Sequence, residues 1–436
     1  MRIGRTLPPA AAPLSWRDIF KGVLALKNGQ GEEKRFQEEL KEFFSSRHCF
    51  LTSSGKTALA LILQGLSRLN PERKAVVIPA YTCYSVPSAI TRAGLKVCPC
   101  DMDLNTLDYN HDALEKTIAA CVDKSSSPPL AILSIHLFGI PADVERTRRL
   151  AERFNTTVVE DAAQALGGAQ EGKKLGTLAD VSFFSLGRGK AFSTVEGGVI
   201  LTSKADLAAE LSRLMNELPS YSSIEIVSLL AKACFVNIFS NPALFWIPRS
   251  IPALRLGETI YDPDFKMRRM SGFQCGLARR WMETLPEHVQ SRRQNTIHWE
   301  SFFESRKNPT LQPYKARGAG LIRFPLRITD ADQREAILKA SHWQGLGIMP
   351  GYPDTVAGIG ELEILEIEED KESRPLPSAC SMARELITLP THSFTTVDDQ
   401  ERIGLLLDQS ISQGISKKQN PDGFRAKGEA LETGTE

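Results

Sequence analysis

The feature that most limits the fold is a repeated alternation between residues 34 and 203. Short apolar runs rich in β-branched residues alternate with amphipathic stretches of helical length, which is the pattern of a mainly parallel β-sheet covered by helices. Seven runs are candidate strands: HCFLTS (48–53), AVVIPA (75–80), LKVCPCD (95–101), LAILSIHLF (130–138), TTVVEDA (156–162), DVSFFSL (180–186) and GGVILTS (197–203). Helices are predicted after the first five. Because the connection between the last two strands is too short for a helical crossover, that pair is predicted to be antiparallel.

The rest of the chain divides into segments of different composition. With 436 residues, of which 42% are hydrophobic, the chain is long enough to bury more than one core. The sequence predicts an N-terminal arm (1–33), a large α/β domain (34–213), an apolar helical insertion (214–266), a smaller α+β C-terminal domain (267–412) and a disordered polar tail (413–436). The C-terminal domain is inferred from a long helical pattern, the strand-like AGLIRFPLRI and the helical DADQREAILKASHWQ.

Composition and charge exclude several classes of partner. The 53 basic and 52 acidic residues give a net charge of +1, so the chain lacks the overall field of a nucleic-acid-binding protein. Cys98 and Cys100, the one close pair among eight cysteines, are separated by one residue where zinc sites use two to four, and no metal site is predicted. The N-terminus has no apolar run of signal-peptide length, so we expect a cytoplasmic protein.

The apolar stretch 224–250 leaves two interpretations open. Charged residues and prolines interrupt it, and its longest uninterrupted piece is shorter than the roughly 20 residues of a membrane span. A helical segment packed on its own protein or on a second subunit is the favoured interpretation. Contact with a membrane surface is the alternative.

The first candidate site lies in FLTSSGKTALALIL, where a predicted strand ends and a helix begins at Ser54 and Gly55. The free N–H groups and the positive dipole of a helix start bind phosphate well. A serine N-cap without a ligand is the other interpretation. The triplet Gly55-Lys56-Thr57 also ends a Walker A motif, but Phe50 stands where that motif requires its first glycine, which disfavours an NTPase.

Two further candidates follow other strands. Glu160 and Asp161 end a buried strand, and in an open α/β sheet such ends line the ligand crevice, although Asp161 could equally be a helix N-cap. Lys190 lies among glycines in SFFSLGRGKAFSTVEGGVILT, between two buried strands. A loop lysine is commonly a solvated charge. Held beside a crevice, it can lose its proton and attack an aldehyde as an amine.

The motifs together resemble those of the DegT/StrS family of sugar aminotransferases, which are fold type I enzymes dependent on pyridoxal 5′-phosphate (PLP). The similarity covers roughly residues 34–412 apart from the insertion. It is carried by SSGKTAL, PAYTCYSVPSAI, HLFGIPAD, VVEDAAQALG, SFFSLGRGKAFSTVEGG, RMSGFQCGLA and LPTH. It implies that the large domain binds PLP, that the chain is a homodimer with a shared active site, and that glutamate donates an amino group to a keto-sugar nucleotide in amino-sugar or polysaccharide synthesis.

The resemblance also implies a role for individual residues. Lys190 would hold the cofactor covalently and later move a proton between substrate and cofactor, and Asp161 would pair with the pyridine nitrogen and keep it protonated. Gln164 would lie against the ring or its hydroxyl. The phosphate would be bound by Ser54, Gly55 and the helix start, with help from Ser185.

Three positions depart from the family pattern. Lys56 replaces a threonine, so its side chain would contact the phosphate or point to solvent. Cys83 stands where an aromatic residue stacks on the cofactor, which leaves its neighbours Tyr81 and Tyr84 as the stacking candidates; we expect Tyr84. Met267 replaces an asparagine that reaches the neighbouring subunit's phosphate, which leaves two alternatives: Arg268 or Arg269 replaces that contact, or the contact is lost.

The sequence is also compatible with functions other than amino transfer. A dehydratase branch of the family has histidine in place of the cofactor lysine, and Lys190 argues against it. A P-loop-like NTPase would use Gly55-Lys56-Thr57 and Asp161. A third interpretation is a catalytically silent scaffold with the PLP fold, whose apolar insertion contacts a partner. The role of Glu196, the acidic residue nearest after Lys190, is left open between the site and a cap of the next strand.

Overall fold

The computed structural model describes residues 3–306, 308–365 and 376–419, with side chains described to residue 410. The strands are β1 (His48–Thr52), β2 (Ala75–Pro79), β3 (Lys96–Cys100), β4 (Ala131–Ile135), β5 (Thr157–Asp161), β6 (Ala169–Gln170), β7 (Lys173–Lys174), β8 (Val181–Ser185), β9 (Gly198–Thr202), β10 (Leu311–Pro313), β11 (Arg323–Ile328), β12 (Met349–Pro350) and β13 (Leu386–Pro390). The helices are α1 (Trp16–Ala25), α2 (Gly29–Phe44), α3 (Gly55–Leu69), α4 (Ser85–Arg92), α5 (His111–Ser125), α6 (Val144–Arg153), α7 (Ala205–Glu217), α8 (Ser223–Phe239), α9 (Trp246–Arg249), α10 (Gly272–Leu277), α11 (Trp281–Arg306), α12 (Ala331–Gln344), α13 (Pro377–Glu385) and α14 (Val397–Gln419).

The main sheet has seven strands in the order β1-β9-β8-β5-β4-β2-β3. Strands β3, β2, β4, β5 and β8 are parallel, whereas β9 is antiparallel to both of its neighbours, β8 and β1. All seven predicted strands are confirmed, and so is the antiparallel last pair. Every residue of β2, β4 and β9 is buried, which is typical of a sheet covered on both faces. The carboxyl ends of β1, β5 and β8 therefore meet at the same edge.

The prediction of a helix after each of the first five strands is correct for four of them and wrong for β5. Helices α3, α4, α5 and α6 follow β1 to β4, but β5 is followed by the hairpin β6-β7. Gly167, Gly172 and Gly176 adopt positive φ angles of 84°, 78° and 94°. These left-handed turns interrupt any helix, because three such residues within ten positions leave no room for its first turns.

The second sheet has four antiparallel strands in the order β10-β11-β13-β12 and packs with helices α12, α13 and α14. Its β11 and α12 coincide with the strand and helix predicted for the smaller α+β domain. Helix α11 joins the two parts, since it buries Trp281 in the core beside β8 and Trp299 in the core that includes β11. Helix α14 reaches Gln419, past the predicted start of the tail at residue 413, and 420–436 lie outside the described residues.

The insertion packs on the N-terminal part of its own chain. Leu229 and Ala233 of α8 form a small core with Ile19 of α1 and Phe273 of α10. The same helix leaves Ile224 and Val227 exposed, with 82% and 65% of their surface accessible. Among the described residues, no helix combines the length and the apolar character that a membrane crossing requires.

Gly198 tests how closely the sheet and the loop after β1 are packed. A Cβ atom there would lie 2.3 Å from the Ser54 carbonyl oxygen, which is a backbone atom and cannot turn aside. We expect Gly198→Ala to lower the free energy of unfolding by about 1–3 kcal/mol, as overpacking does. Gly360→Ala is the matched control, because nothing lies within 4 Å of its added Cβ. Denaturant titration of both variants measures the difference, and equal stability would show that this contact is loose.

Candidate active site

The predicted phosphate turn is assembled from two strand ends. Ser54 caps α3, its Oγ accepting a hydrogen bond from the Thr57 N–H at 3.1 Å. A Cβ on Gly55 would lie 2.9 Å from the Cβ of Ser185, so the absence of a side chain permits this close approach. The structure thus brings Ser54, Gly55 and Ser185 together at the start of a 15-residue helix. Such a helix start attracts a dianion through its free N–H groups and its dipole.

The Lys56 side chain points toward the insertion and not toward the phosphate turn. Its Nζ lies 3.0 Å from Asp262 Oδ2 and 4.5 Å from the centre of the Phe265 ring, and both residues belong to the insertion segment. The Lys56 amine is therefore occupied by an ion pair and a cation–π contact. This placement differs from the expected contact with the phosphate.

Asp161 ends β5 and is buried, with 5% of its surface exposed. Its Oδ1 accepts a hydrogen bond from the Ala163 N–H at 3.0 Å. Burial raises the pKa of Asp161 to about 6, while that hydrogen bond and the charge of Lys190 act in the opposite direction. A cationic group placed beside this carboxyl would return it to the ionised form and would itself hold its proton more tightly.

Lys190 is half-buried in the loop between β8 and β9. Burial lowers the pKa of its amine, and the positive charge of Arg323 acts in the same direction, whereas Cys83 and Asp161 favour the charged form. A lowered pKa increases the fraction of neutral amine. The residue therefore has the property that a nucleophile toward an aldehyde requires.

Both polar atoms of the Gln164 side-chain amide make hydrogen bonds. Its Oε1 accepts from the Phe138 N–H at 3.3 Å, and its Nε2 donates to the Tyr352 hydroxyl at 3.0 Å. The Tyr352 ring stacks on the Phe138 ring with centroids 5.7 Å apart. The Tyr352 backbone N–H donates a hydrogen bond to the Tyr81 hydroxyl at 2.7 Å. Tyr352 lies in a Gly/Pro-rich loop whose sequence shows no catalytic pattern, so sequence reasoning missed it.

Lys190 opens into a cavity of about 360 Å³. Its walls include Gln164, Tyr352, Cys83 and Arg323, residues 8–12 of the N-terminal arm, and apolar side chains of the insertion such as Phe235. The two parts of the chain outside the resemblance thus form part of the wall of this cavity.

Cys83, and not Tyr84, lines this cavity among the described residues. The Tyr84 backbone N–H donates a hydrogen bond to Thr259 Oγ1 at 3.1 Å. The structure therefore places Tyr84 away from the cavity wall, which differs from the expected stacking role. Tyr81 is fully buried.

Arg292 was not identified from the sequence and lies under the Lys190 loop. It is 1% exposed and donates hydrogen bonds to the carbonyl oxygens of Lys190 at 2.7 Å, Ala191 at 2.9 Å and Ala11 at 2.7 Å. Burial lowers its pKa to about 10, so the guanidinium remains charged at neutral pH. In the sequence it is one of two adjacent arginines in an amphipathic helix, which is the pattern of a solvated face.

His136 and Glu160 form a buried structural pair. His136 Nδ1 accepts from the Ala142 N–H at 3.0 Å, so its Nε2 carries the proton and donates to Glu160 Oε1 at 2.9 Å. Glu160 also accepts from the Leu178 N–H at 2.7 Å. Its carboxylate is thereby used to hold the segment after the β6-β7 hairpin.

Three further sequence questions have answers in the fold. Glu196 pairs with Lys232 of α8, its Oε1 lying 2.6 Å from the Lys232 Nζ, so it ties the loop to the insertion. Arg268 pairs with Glu225 at 3.2 Å. Arg269 donates to the Met215 carbonyl oxygen at 2.8 Å. Both arginines are thus engaged within their own chain.

The geometry fits a cofactor that carries a phosphate, a basic ring nitrogen and an aldehyde. The free N–H groups at the start of α3 suit the phosphate, and Gly55 has no Cβ to clash with Ser185. The buried Asp161 suits a ring nitrogen, and the half-buried Lys190 suits an aldehyde. PLP has these three groups.

The chain is similar to known aminotransferases. The model of the DegT/DnrJ/EryC1/StrS aminotransferase family matches residues 21–223 and 257–407 and omits part of the insertion. GDP-perosamine synthase of Caulobacter vibrioides is 31% identical over 387 residues, which are 86% of this chain and 89% of that protein. L-glutamine:2-deoxy-scyllo-inosose aminotransferase of Streptomyces lividus is 32% identical over 190 residues, 43% of this chain and 42% of that relative, so the match spans less than half of its length.

A solved structure supports the fold. NtdA from Bacillus subtilis, with bound cofactor PMP, superimposes with a TM-score of 0.69 at 18% identity, and the match covers 92% of this chain and 83% of that one. This likeness confirms the predicted α/β fold of type I.

The raised pKa of Asp161 makes the stability of the cofactor-free protein depend on pH. Because its pKa rises from a usual 3.8 to about 6, the folded state binds this proton more tightly than the unfolded chain. The resulting stability is fully present below about pH 4 and is lost as the pH rises through 6. Between pH 4 and 7.5 we expect a loss of about 2 kcal/mol that Asp161→Asn does not show. Denaturant titrations of both proteins at the two pH values test this, and parallel profiles would contradict it.

Arg292→Met should destabilise the fold and loosen the Lys190 loop. Methionine fills much of the space but leaves three carbonyl groups without a donor, so we expect a loss of about 3 kcal/mol or more. The neighbouring Arg293 is exposed, and Arg293→Met is the matched control. Denaturant titration gives the stability, and hydrogen exchange of the amides at 187–191 reports on the loop. Unchanged exchange in Arg292→Met would show that the guanidinium does not fix the loop.

Proposed function

We propose that this chain, which belongs to the DegT/DnrJ/EryC1/StrS aminotransferase family, uses PLP to transfer an amino group. The donor is an amino acid, and the acceptor is a keto-sugar carried on a nucleotide. The observation that carries the proposal is the meeting of Lys190, Asp161 and the turn of Ser54, Gly55 and Ser185 at one edge of the main sheet. Each of the three suits one functional group of the cofactor. Because they are far apart in the sequence, a chance meeting in the fold is improbable.

When bound, PLP supplies an electron sink for the bond changes at the substrate carbon. The start of α3 and the Ser185 hydroxyl would bind the phosphate. The Asp161 carboxylate would keep the ring nitrogen protonated by charge pairing. Gln164, which is held by Phe138 and Tyr352, would fix the orientation of the ring.

The Lys190 amine has two roles in this proposal. Its Nζ would hold the cofactor, and the free amine would accept a proton from the donor carbon. Its lowered pKa suits both roles, because each requires a neutral amine near pH 7. The arm and the insertion form part of the wall of this space.

Glutamate is the proposed donor, with L-glutamine as the second compound to test, because a relative is named for it. The proposed acceptor class agrees with the name of the relative that covers most of the chain, GDP-perosamine synthase. We place the enzyme in the cytoplasm, in amino-sugar or polysaccharide synthesis. We propose a homodimer with shared active sites, and exposed apolar residues such as Trp16 and Phe20 on α1 and Ile224 on α8 support a subunit contact.

The alternative functions lack support. A P-loop NTPase would need the Lys56 amine at the phosphates, but this amine contacts Asp262 and Phe265. A catalytically silent scaffold would not require a lysine with a lowered pKa beside a buried aspartate. Neither is favoured by any contact of the described residues.

Reduction with borohydride tests the proposal directly. The purified protein should absorb in the visible range, and reduction followed by peptide mapping should place a pyridoxyl group on Lys190. Lys190→Ala should lose the adduct and about 10²–10⁴-fold of the amino-transfer rate. Lys56→Ala should keep the adduct and is the matched lysine control. A pyridoxyl group on another residue, or nucleotide hydrolysis that depends on Lys56, would contradict the proposal.

A further inference from the structure

The insertion forms part of the wall of the Lys190 cavity, and its side chains there are mainly apolar. Those that we call the apolar wall are Phe235, Val236, Phe239, Phe245, Pro248 and Leu254. Residues 8–12 of the arm line the same cavity with the sequence PPAAA, which has no polar side chain. Two segments of the chain thus offer hydrophobic contacts to a ligand in the cavity.

The apolar wall is accessible and does not form a closed core. Phe235 and Leu254 keep 38% and 42% of their surface exposed. The centroids of the Phe235 and Phe239 rings lie 4.6 Å apart. The Ile251 carbonyl oxygen accepts a hydrogen bond from the Leu254 N–H at 3.1 Å, and Ile251 is 47% exposed, so the apolar surface continues to the outside of the molecule. An accessible apolar surface of this kind indicates a ligand that covers it.

The chemistry of the apolar wall favours an aliphatic chain over a sugar or a nucleobase. A sugar hydroxyl buried against hydrocarbon side chains loses its hydrogen bonds to water, which is costly. A nucleobase stacks on an aromatic ring, but Val236, Pro248 and Leu254 have no such ring. A hydrocarbon chain is stabilised by every side chain of the wall, because the burial of each methylene group is favourable.

Charged side chains of the same cavity suit an anionic group between this chain and the sugar. Arg188 and Arg255 line the cavity and are exposed, and the exposed Glu258 lies there with the opposite charge. These three side chains sum to a positive charge. Arginine binds phosphate groups through its planar set of N–H donors. A diphosphate that joins the sugar to its carrier is therefore complementary to this part of the cavity.

We propose that the apolar wall binds an aliphatic chain carried by the acceptor. The inference rests on the proposed function, because it takes the keto-sugar as the group that reaches Lys190. Two kinds of acceptor have such a chain. In a sugar linked to a prenyl diphosphate the chain takes the place of the nucleotide, whereas in a nucleotide sugar that bears a long acyl group both are present.

The apolar wall lies in the part of the chain that the family model omits. That model matches residues 21–223 and 257–407, and all six side chains of the wall fall between these two ranges. The subsite is thus a property of the insertion. It would distinguish this chain from relatives whose sequences lack the insertion.

The test uses calorimetry on the holoenzyme with two ligands that share a diphosphate and differ in chain length, isopentenyl diphosphate and farnesyl diphosphate. Phe235→Asn and Leu254→Asn each place a polar amide in the apolar wall at a partly exposed position, where folding tolerates it. Val227→Asn is the matched control. Val227 lies on α8, is 65% exposed and is not among the described residues that line the cavity.

We expect farnesyl diphosphate to bind the wild type and Val227→Asn about tenfold or more tightly than isopentenyl diphosphate, because more methylene groups are buried. Its binding should also show the more negative change in heat capacity, which is the mark of apolar burial. In Phe235→Asn and Leu254→Asn the ratio of the two dissociation constants should fall about threefold or more. The affinity for isopentenyl diphosphate should stay unchanged.

Equal affinity of the wild type for the two diphosphates would overturn the proposal. So would a ratio that is the same in all four proteins. Weaker binding of UDP to Phe235→Asn, with farnesyl diphosphate unaffected, would also overturn it and would identify a site for a nucleobase. Absence of the visible band in every protein would instead refute the proposed function, and calorimetry would still test the apolar wall.

Octyl glucoside, which has a chain and no phosphate, distinguishes the two kinds of acceptor. If it binds to protein that is saturated with UDP, the chain and the nucleotide have separate places, as an acylated nucleotide sugar requires. If UDP excludes it, the chain takes the place of the nucleotide, as in a prenyl diphosphate carrier. Either result upholds the proposal, whereas octyl glucoside that binds Leu254→Asn as tightly as the wild type contradicts it.

Discussion

Arg292 donates hydrogen bonds to main-chain carbonyls of Ala11, Lys190 and Ala191, and thereby joins three parts of the chain that are distant in sequence. A buried charge is tolerated only where its hydrogen bonds are made, and here the acceptors are backbone atoms whose positions define a loop. The loop itself contains Gly187 and Gly189 and has few side chains to fix it. The Arg292 guanidinium fixes the backbone of this loop through its hydrogen bonds. The orientation of Lys190 therefore depends on helix α11, which carries Arg292.

The arm and the insertion extend the same principle to the walls of the cavity. Glu196 and Lys232 fasten α8 to the loop after Lys190, and Lys56 and Asp262 fasten another part of the insertion to α3. Partly exposed ion pairs of this kind contribute little stability each. Their importance is geometric, since they attach the segment that the family model partly omits to elements that carry the site.

The sequence allowed the sheet to be predicted better than the site. Runs of β-branched residues identified the seven strands, and the short connection through Lys190 determined the antiparallel pair. The hairpin after β5 was missed because glycine dihedral angles decided it. Lys56 and Tyr84 were expected at the cofactor, but spacing along the chain does not tell which way a side chain points once the insertion packs against it. Arg292 and Tyr352 act through contacts between distant segments, and no local sequence pattern marks them.

The place of β9 in the sheet has a consequence for synthesis of the chain. Residues 48–52 emerge early from the ribosome, but the strand that pairs with them comprises residues 198–202. Strands β2 to β5 can associate in parallel while translation continues. During this time β1 has no neighbouring strand to pair with. The two halves of the phosphate turn, Ser54 and Ser185, therefore stay apart until β9 is translated and inserts between their strands. A nascent chain stalled before residue 198 would hold a partial sheet and no cradle for the cofactor.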